Sequence, residues 1–192
     1  MRKHFRKTVA GYALAVAGMA CAVNAQAPQP APPVIANPNY ISIPMEITVN
    51  RPAAEVWKRV GKFCDIGEWF RIPCAITSGK DGEFGAVRSV AGEVLVGKTE
   101  LSYTYTQTVR NDRPYNLYHG TLEARPVTAT TSKIVYTLFF DNSMLADDGA
   151  REKDKAQRTA IFTTILGSMK ILAEGGTLPP APARGGGSGR GN

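Results

Sequence analysis

A strand pattern that runs directly into an amphipathic helix opens the part of this chain that can build a core. Residues 41–49 alternate apolar and polar side chains, which is the period of a half-buried strand. Asn50 is then the predicted N-cap of a helix, and Pro52 suits its first turn. Trp57 and Val60 follow on one face of that helix, so this face is predicted to pack against a sheet.

A second short helix, a series of strands and one long helix are predicted after this opening. Residues 63–70 have the pattern of a short helix, and residues 150–174 carry apolar side chains at helical spacing up to Gly175-Gly176. The predicted strands between these helices are 72–78, 84–90, 92–96, 101–109, 116–126 and 133–141. Their connections are too short for crossover helices, so the strands are predicted to form an antiparallel meander.

This order of elements, together with several motifs at matching spacing, resembles the START-like, helix-grip superfamily (SRPBCC, polyketide cyclase/dehydrase-like). The segment 46–69 is similar to the opening of that fold. The other similar motifs are Gly85-x-x-Arg88, Glu93-x-Leu95, the strand with Tyr103 and Tyr105, Tyr118-His119-Gly120-Thr121-Leu122, and the helix end 169–174. One departure is Tyr136, which stands where many relatives carry Trp.

The resemblance implies an α+β helix-grip fold. In this fold a curved antiparallel sheet of about seven strands surrounds a long C-terminal helix, and two short helices follow the first strand. A ligand cavity is then expected between the sheet and the long helix. The resemblance does not identify the ligand.

The two ends of the chain have the composition of processed or unstructured segments. Residues 1–25 combine a basic start, a short apolar stretch and the pattern Val23-Asn24-Ala25, so they are predicted to be a signal peptide. Lipidation at Cys21 and an uncleaved anchor are open alternatives. The remaining predicted segments are a Pro-rich linker over 26–39, one START-like domain over 40–174, and a disordered Gly/Pro-rich tail over 175–192.

Removal of the signal changes what the charge of the chain implies. The full chain has a net charge of +7, but residues 1–25 hold four Lys or Arg and no acidic residue, which leaves about +3. This small excess gives no reason to expect a nucleic-acid partner. We therefore expect a periplasmic or secreted protein that does not insert stably into a membrane after signal cleavage.

Two cysteines, Cys64 and Cys74, remain after signal cleavage. In an oxidising compartment an even number of cysteines favours a disulfide. Two buried thiols are the alternative, because an unbroken helix over 54–70 would hold the two side chains too far apart. Gly61 and Gly67 argue for a broken helix and therefore for the disulfide.

Candidate functional residues come from strand parity and from the resemblance. Glu93 is the candidate acid or base, since a carboxyl group in an apolar cavity has a raised pKa. The alternative role for Glu93 is a structural ion pair with Arg88. Tyr118 is the second candidate catalytic residue, because its hydroxyl could donate to a carbonyl or enolate oxygen. The predicted ligand-binding residues are Trp69, Arg88, Tyr103, Tyr105, Leu122, Tyr136, Phe162 and Met169.

No cofactor and no metal site are expected. His119 is predicted to face outward, and the sequence holds no metal-ligand spacing, nucleophile elbow or phosphate loop. The predicted function is the binding of a small hydrophobic or aromatic ligand in an internal cavity. A cofactor-independent enzyme of the polyketide cyclase-like or lyase type is the alternative, and a structural protein with a filled cavity is the third possibility.

Overall fold

Seven strands form one antiparallel sheet in the order β1-β7-β6-β5-β4-β3-β2, and a long helix packs against it. The computed structural model describes residues 35–108 and 112–180. In chain order the elements are β1 (Tyr40–Val49), α1 (Ala53–Val60), α2 (Ile66–Trp69), β2 (Ile76–Ser78), β3 (Val87–Arg88), β4 (Glu93–Lys98), β5 (Ser102–Thr106), β6 (Asn116–Pro126), β7 (Ser132–Asp141) and α3 (Asp148–Ala173). The predicted α+β helix-grip class is therefore confirmed. The predicted signal peptide, most of the predicted linker and residues 181–192 of the predicted tail lie outside the described residues.

The first strand pairs with the last one along its whole length. The register of β1 and β7 runs from Tyr40 opposite Asp141 to Val49 opposite Ser132. Register shifts interrupt the β4–β5 and β6–β7 pairings, and the second of these lies close to Leu117, whose φ is 51°. Such bulges bend strands, and they help the sheet to curve around α3.

One face of the sheet and one face of α3 supply the core. Along β6 the residues of one parity are buried, as are Tyr136, Leu138 and Phe140 on β7. Tyr103 and Tyr105 on β5 also point to this side, which the sequence pattern alone left undecided. The helix contributes its buried residues Ile165, Leu166, Met169, Leu172 and Ala173.

The start of α1 differs from the prediction. Pro52 is the N-cap residue, and no side chain caps this helix. The backbone N–H of Asn50 instead donates to Glu174 Oε1 at 2.8 Å, which ties the end of β1 to the end of α3. At the start of α3, the side chain of Asp147 caps the helix by accepting a hydrogen bond from Ala150 N at 2.7 Å.

The strands β2 and β3 are shorter than the segments 72–78 and 84–90 that the pattern predicted. Gly79, Gly82 and Gly85 have φ of 72°, 74° and 82°, so the chain between the two strands turns repeatedly instead of extending. This end of the sheet is therefore built mainly from turns.

A disulfide joins Cys64 and Cys74, whose Cα atoms lie 5.5 Å apart. It brackets the four-residue helix α2, as the predicted break in the helical segment allows. The helix α2 contacts α3, and its Trp69 is buried. Within residues 35–108 and 112–180, no helix has the length and apolar character needed to cross a bilayer.

Candidate ligand-binding site

A cavity of about 220 Å³ lies between the sheet, α2 and α3. This is the place where a ligand cavity is expected in a helix-grip fold. Side chains from α2, from the β3–β4 turn, from β4 to β7 and from α3 meet there. The lining residues are Ile66, Trp69, Phe70, Val90, Ala91, Glu93, Tyr105, Gln107, Arg113, Tyr115, Tyr118, Tyr136, Phe162 and Ile165.

The apolar wall of this cavity is aromatic. The Tyr136 ring lies 4.8 Å from that of Phe162 on α3, and the Trp69 ring meets Tyr136 edge-on at 6.4 Å between centroids. Aromatic rings arranged in this way can pack against a flat apolar ligand as well as against each other. The indole Nε1 of Trp69 is buried and has no hydrogen-bond partner among the described residues.

A row of tyrosines carries hydroxyl groups across the sheet face of the cavity. The hydroxyls of Tyr105 and Tyr136 are 2.9 Å apart and form a hydrogen bond. The Tyr105 ring lies directly over Gly120, where an added Cβ would come within 2.4 Å of ring atoms. Burial raises the pKa of Tyr105, Tyr118 and Tyr136 above the ordinary value of a tyrosine, so these hydroxyls stay neutral at physiological pH.

A buried ion pair stands at the polar end of the cavity. Arg88 and Glu93 are direct partners in the β3–β4 ladder, and Arg88 Nε donates to Glu93 Oε2 at 2.6 Å. Arg88 Nη2 also touches this oxygen, although its N–H is not aimed as a hydrogen bond requires. Both side chains are almost fully buried, with exposed fractions of 0% and 4%.

Both partners of this pair have further contacts. Arg88 Nη1 donates to the carbonyl of Phe63, and its guanidinium lies 4.3 Å from the centre of the Phe63 ring. The other oxygen of Glu93 accepts from Gln107 Nε2 at 3.1 Å, and Gln107 in turn accepts from the Tyr115 hydroxyl at 2.9 Å. The result is a connected polar network inside an aromatic surround.

The network sets the protonation of Glu93. Burial raises the pKa of its carboxyl group, whereas the charge of Arg88 and the hydrogen bonds from Gln107 and Arg88 oppose that rise. For Arg88, burial works against the charged form, but attraction to Tyr103 and Glu93 outweighs it and raises the pKa. We therefore treat the pair as a carboxylate and a guanidinium at neutral pH.

A second cationic side chain, that of Arg158 on α3, lies against aromatic rings beside the cavity. The Arg158 guanidinium lies 4.8 Å from the Tyr115 ring centre and 4.6 Å from that of Phe140. Asp154 holds it there through a 2.7 Å contact one helical turn earlier. Cation–π contacts of this kind fix the ring of Tyr115, which lines the cavity.

The structure brings together part of the predicted set. Glu93 and Tyr118 both line the cavity, and so do Trp69, Tyr105, Tyr136 and Phe162. The other four predicted residues are buried but do not line it. Arg88 is turned toward Glu93 and Phe63. The other three residues, Tyr103, Leu122 and Met169, belong to the hydrophobic core.

Several lining residues were not among the predictions. Gln107 has the same strand parity as Tyr105, so the alternation of β5 could have pointed to it. Ile165 lies on the apolar stripe of α3 together with Phe162. Val90, Ala91 and Arg113 come from turns, whose side-chain directions no periodicity reveals.

Strand parity predicted that His119 faces outward, and the contacts of its side chain agree with this. Its Nδ1 is 2.7 Å from the carbonyl oxygen of Leu117, and its ring faces Phe139. The described residues contain no group of three or more His, Cys, Asp or Glu side chains arranged to hold a metal ion.

The fold of this chain is similar to that of several solved structures. No sequence-family model and no curated protein matches the chain. A solution structure from Thermobifida fusca superposes with a TM-score of 0.59 at 23% identity, covering 72% of this chain and 97% of that one.

Two of the structural neighbours carry names that describe enzymes. The Zhui aromatase/cyclase from Streptomyces sp. R1128 has a TM-score of 0.50 at 17% identity, covering 72% of this chain and 100% of its own. A truncated norcoclaurine synthase from Thalictrum flavum has a TM-score of 0.53 at 12% identity, with coverage of 72% and 96%. At these identities the likeness establishes a common fold.

Proposed function

We propose that this chain, which has the helix-grip fold, binds a small hydrophobic or aromatic molecule in the cavity beneath α3. The observation that carries the proposal is the composition of the cavity wall. Trp69, Tyr136, Phe162 and Ile165 supply an aromatic and aliphatic surface, and the tyrosines of the sheet add a small number of hydroxyl groups. Pockets that combine a mostly apolar wall with a few converging polar groups are typical small-molecule sites.

The size of the cavity restricts the ligand. A dry apolar cavity of about 150 Å³ accepts benzene, and this one measures about 220 Å³. A single ring with a short substituent therefore fits, whereas a sterol or a polycyclic molecule requires the walls to move. The unpartnered Trp69 Nε1–H and the tyrosine hydroxyls favour a ligand that carries one oxygen.

Binding is favoured over catalysis because Glu93 is already engaged. Both of its carboxylate oxygens accept hydrogen bonds, one from Arg88 and one from Gln107. A general base needs a pKa near the working pH, and the charge of Arg88 and these two hydrogen bonds oppose the rise that burial causes in the pKa of Glu93. The carboxylate thus serves better as the anchor of a rigid polar end than as an acid or base.

The alternative is a cofactor-independent enzyme of the cyclase or lyase type. Two observations favour it: Glu93 and Tyr118 both line the cavity, and two structural neighbours are named as an aromatase/cyclase and a norcoclaurine synthase. Tyr118→Phe removes one hydroxyl and keeps the ring. If a molecule recovered from the exported protein is converted by the natural chain, and Tyr118→Phe binds it without converting it, the enzyme is supported.

We also propose that the protein is exported. The N-terminal pattern of residues 1–25 and the disulfide between Cys64 and Cys74 both support an oxidising compartment. The mass of the protein purified from the periplasm or the culture medium tests this. A chain that begins at Gln26 is expected, and a cytoplasmic chain that begins at Met1 with reduced thiols would contradict it.

Ligand binding is tested by filling the cavity. Val90 lines it and is half-buried, so Val90→Phe is expected to occupy the space, and Val96→Phe on β4 is the matched exposed control. Toluene, phenol and benzaldehyde serve as single-ring probes, and their affinity is measured by calorimetry and by the shift in Tm. We expect at least tenfold weaker binding for Val90→Phe alone. Equal binding by both variants, or no binding of any probe by the natural chain, would overturn the proposal.

A further inference from the structure

The internal cavity reaches the protein surface beside Phe70 and Arg113. These two residues are exposed, whereas every other residue of the cavity lining is buried or half-buried. A ligand that is held inside can therefore keep one group in contact with water at this opening. The side chain of Arg113 is the polar group of the protein that meets it there.

The charge of Arg113 is the one charge of the lining that no described side chain balances. Glu93 is the other charged residue that lines the cavity, and Arg88 already neutralises it through the buried ion pair. Within residues 35–108 and 112–180, Arg113 takes part in no ion pair. The lining is therefore electropositive at its opening, which favours an anionic group of the ligand there.

The hydrogen bonds of the lining favour the same kind of ligand. The Nε1–H group of Trp69 is buried and donates to no described residue. Both carboxylate oxygens of Glu93 already accept hydrogen bonds, and Gln107 Oε1 accepts from the Tyr115 hydroxyl. A ligand with oxygen acceptors therefore matches the unused donors, whereas an ammonium group would meet no free carboxylate in the described lining.

We propose that the ligand is an aromatic carboxylate, whose ring lies inside against Tyr136 and Phe162 and whose carboxylate binds Arg113 at the opening. This inference rests on the proposed function of the cavity and adds the class of the ligand to it. A guanidinium holds its N–H donors in a plane that matches the two oxygens of a carboxylate. A further oxygen on the ring, such as a phenolic hydroxyl, would accept from Trp69 Nε1–H.

The size of the cavity agrees with this placement of the charge. A volume of about 220 Å³ holds a single ring with a short substituent, so the carboxylate lies at the exposed opening and not among the buried rings. The ligand then binds without the large cost of removing an ionised group from water.

Three ligands of similar shape and different charge test the class. Phenylacetate is an anion at pH 7, phenylacetamide is neutral, and 2-phenylethylamine is a cation. Their affinities for the natural chain are measured by calorimetry at low ionic strength. We expect phenylacetate to bind about fivefold more tightly than the amide, which is the upper range for an exposed ion pair, and the amine to bind most weakly. Added salt should reduce the advantage of the carboxylate.

Arg113→Gln shows whether this advantage comes from Arg113. The variant is expected to bind phenylacetate no more tightly than phenylacetamide, and its affinity for the amide should stay within about twofold of that of the natural chain. Arg125→Gln is the matched control, because Arg125 is also exposed, at 52%, but does not line the cavity. We expect this control to keep the preference for phenylacetate.

The possible failures can be told apart. Equal affinity of the natural chain for phenylacetate and phenylacetamide would overturn the carboxylate inference and would leave the proposed binding of aromatic molecules intact. A preference for phenylacetate that survives in Arg113→Gln would overturn the role of Arg113. If none of the three ligands binds, both the inference and the proposed function are wrong.

Discussion

The buried ion pair between Arg88 and Glu93 is expected to contribute strongly to the stability of the fold. Removing the charge of Glu93 leaves an ionised guanidinium enclosed by Phe63, Tyr103 and Tyr105. Breaking a buried ion pair in this way costs about 3–5 kcal/mol. We therefore expect Glu93→Gln to lower the free energy of unfolding by about 3 kcal/mol, measured by urea denaturation.

An exposed pair in the same protein provides the control. Arg59 and Glu68 form a two-pronged contact at 2.6 and 2.7 Å, but their side chains are 42% and 49% exposed. Water screens such pairs, and Glu68→Gln is expected to cost less than about 1 kcal/mol. Similar losses for the two variants would show that burial does not govern the strength of the Arg88 pair.

Gly120 is important because it has no Cβ atom. Its position on β6 leaves room for the Tyr105 ring, and Tyr105 is buried on all sides and cannot swing away. Gly120→Ala is expected to displace that ring, break the hydrogen bond between Tyr105 and Tyr136, and lower the free energy of unfolding by about 1–3 kcal/mol.

The matched glycine is Gly167 on α3. No atom lies within 4 Å of a Cβ added at Gly167, so Gly167→Ala is expected to stabilise the helix by up to about 1 kcal/mol. Thermal unfolding of both variants, with the Tyr105 and Tyr136 environment followed by near-ultraviolet circular dichroism, checks the pair. A stabilised Gly120→Ala variant would contradict the placement of Tyr105.

Residue types were easier to predict from the sequence than residue partners. Strand parity indicated that Tyr118 and Tyr136 face the core, because alternation survives in long strands such as β6 and β7. It could not show that Arg88 turns to Glu93 and to the Phe63 carbonyl instead of to the cavity. That choice depends on contacts between residues 25 positions apart in the chain.

At the scale of elements, α2 depends on a covalent bracket. A helix of four residues has almost no stability of its own, since nucleation is unfavourable and few hydrogen bonds repay it. The disulfide between Cys64 and Cys74 closes a short loop around it, worth about 3 kcal/mol in the loop-entropy account. We expect reduction to lower the free energy of unfolding by that amount.

Denaturation with and without dithiothreitol measures this loss. The double variant Cys64→Ser, Cys74→Ser should behave like the reduced protein and be insensitive to the reductant. Because Trp69 belongs to α2, its fluorescence is also expected to shift to longer wavelength on reduction, as water gains access. A reduced protein of unchanged stability would contradict the bracketing role.

The end of α3 is fixed by charge to the start of the fold. Glu174 accepts from Asn50 N, and Lys170 donates both to Glu174 and to the carbonyl of Thr48. The hydrogen bond from Asn50, and then that from Lys170, lower the pKa of Glu174. A carboxyl group whose pKa is lowered on folding stabilises the protein above its unfolded pKa, and this stability is lost as pH falls through the folded pKa.

Glu174→Gln removes that contribution. The variant is expected to be less stable than the natural chain by less than about 1 kcal/mol at pH 7, because water screens an exposed carboxylate. The difference should vanish as the pH is lowered below the ordinary range of a glutamate. Unfolding curves between pH 3 and pH 7 measure it, and a difference that persists in acid would indicate a cause other than charge.

Element types were predictable where the pattern was long. The segment 116–126 was predicted with the bounds of β6, and the long helix was placed to within two residues at its start. The segments that became β2 and β3 were predicted too long, because glycines with positive φ interrupt them. Periodicity over a few residues cannot separate a strand from a series of turns.

At the scale of the molecule, the order of elements together with the spacing of the motifs predicted the helix-grip fold. Among the described elements a run of strands is followed by one long helix, which is the pattern of an α+β fold. The size of the cavity was not predictable, because it depends on how far Trp69, Phe162 and the tyrosines fill the space. The contact of Leu178 with the core was also not predicted, since the composition of this segment alone suggested a free tail.

The pairing of β1 with β7 has a consequence for the time at which the protein can fold. Of the described elements, β1 is the first to be synthesised, but its only sheet neighbour among the described strands is β7, some ninety residues later. Pairing over such a distance closes a large loop, and chains rich in such contacts fold slowly. Newly made molecules therefore spend an interval with β1 unpaired, in which a chaperone can bind them.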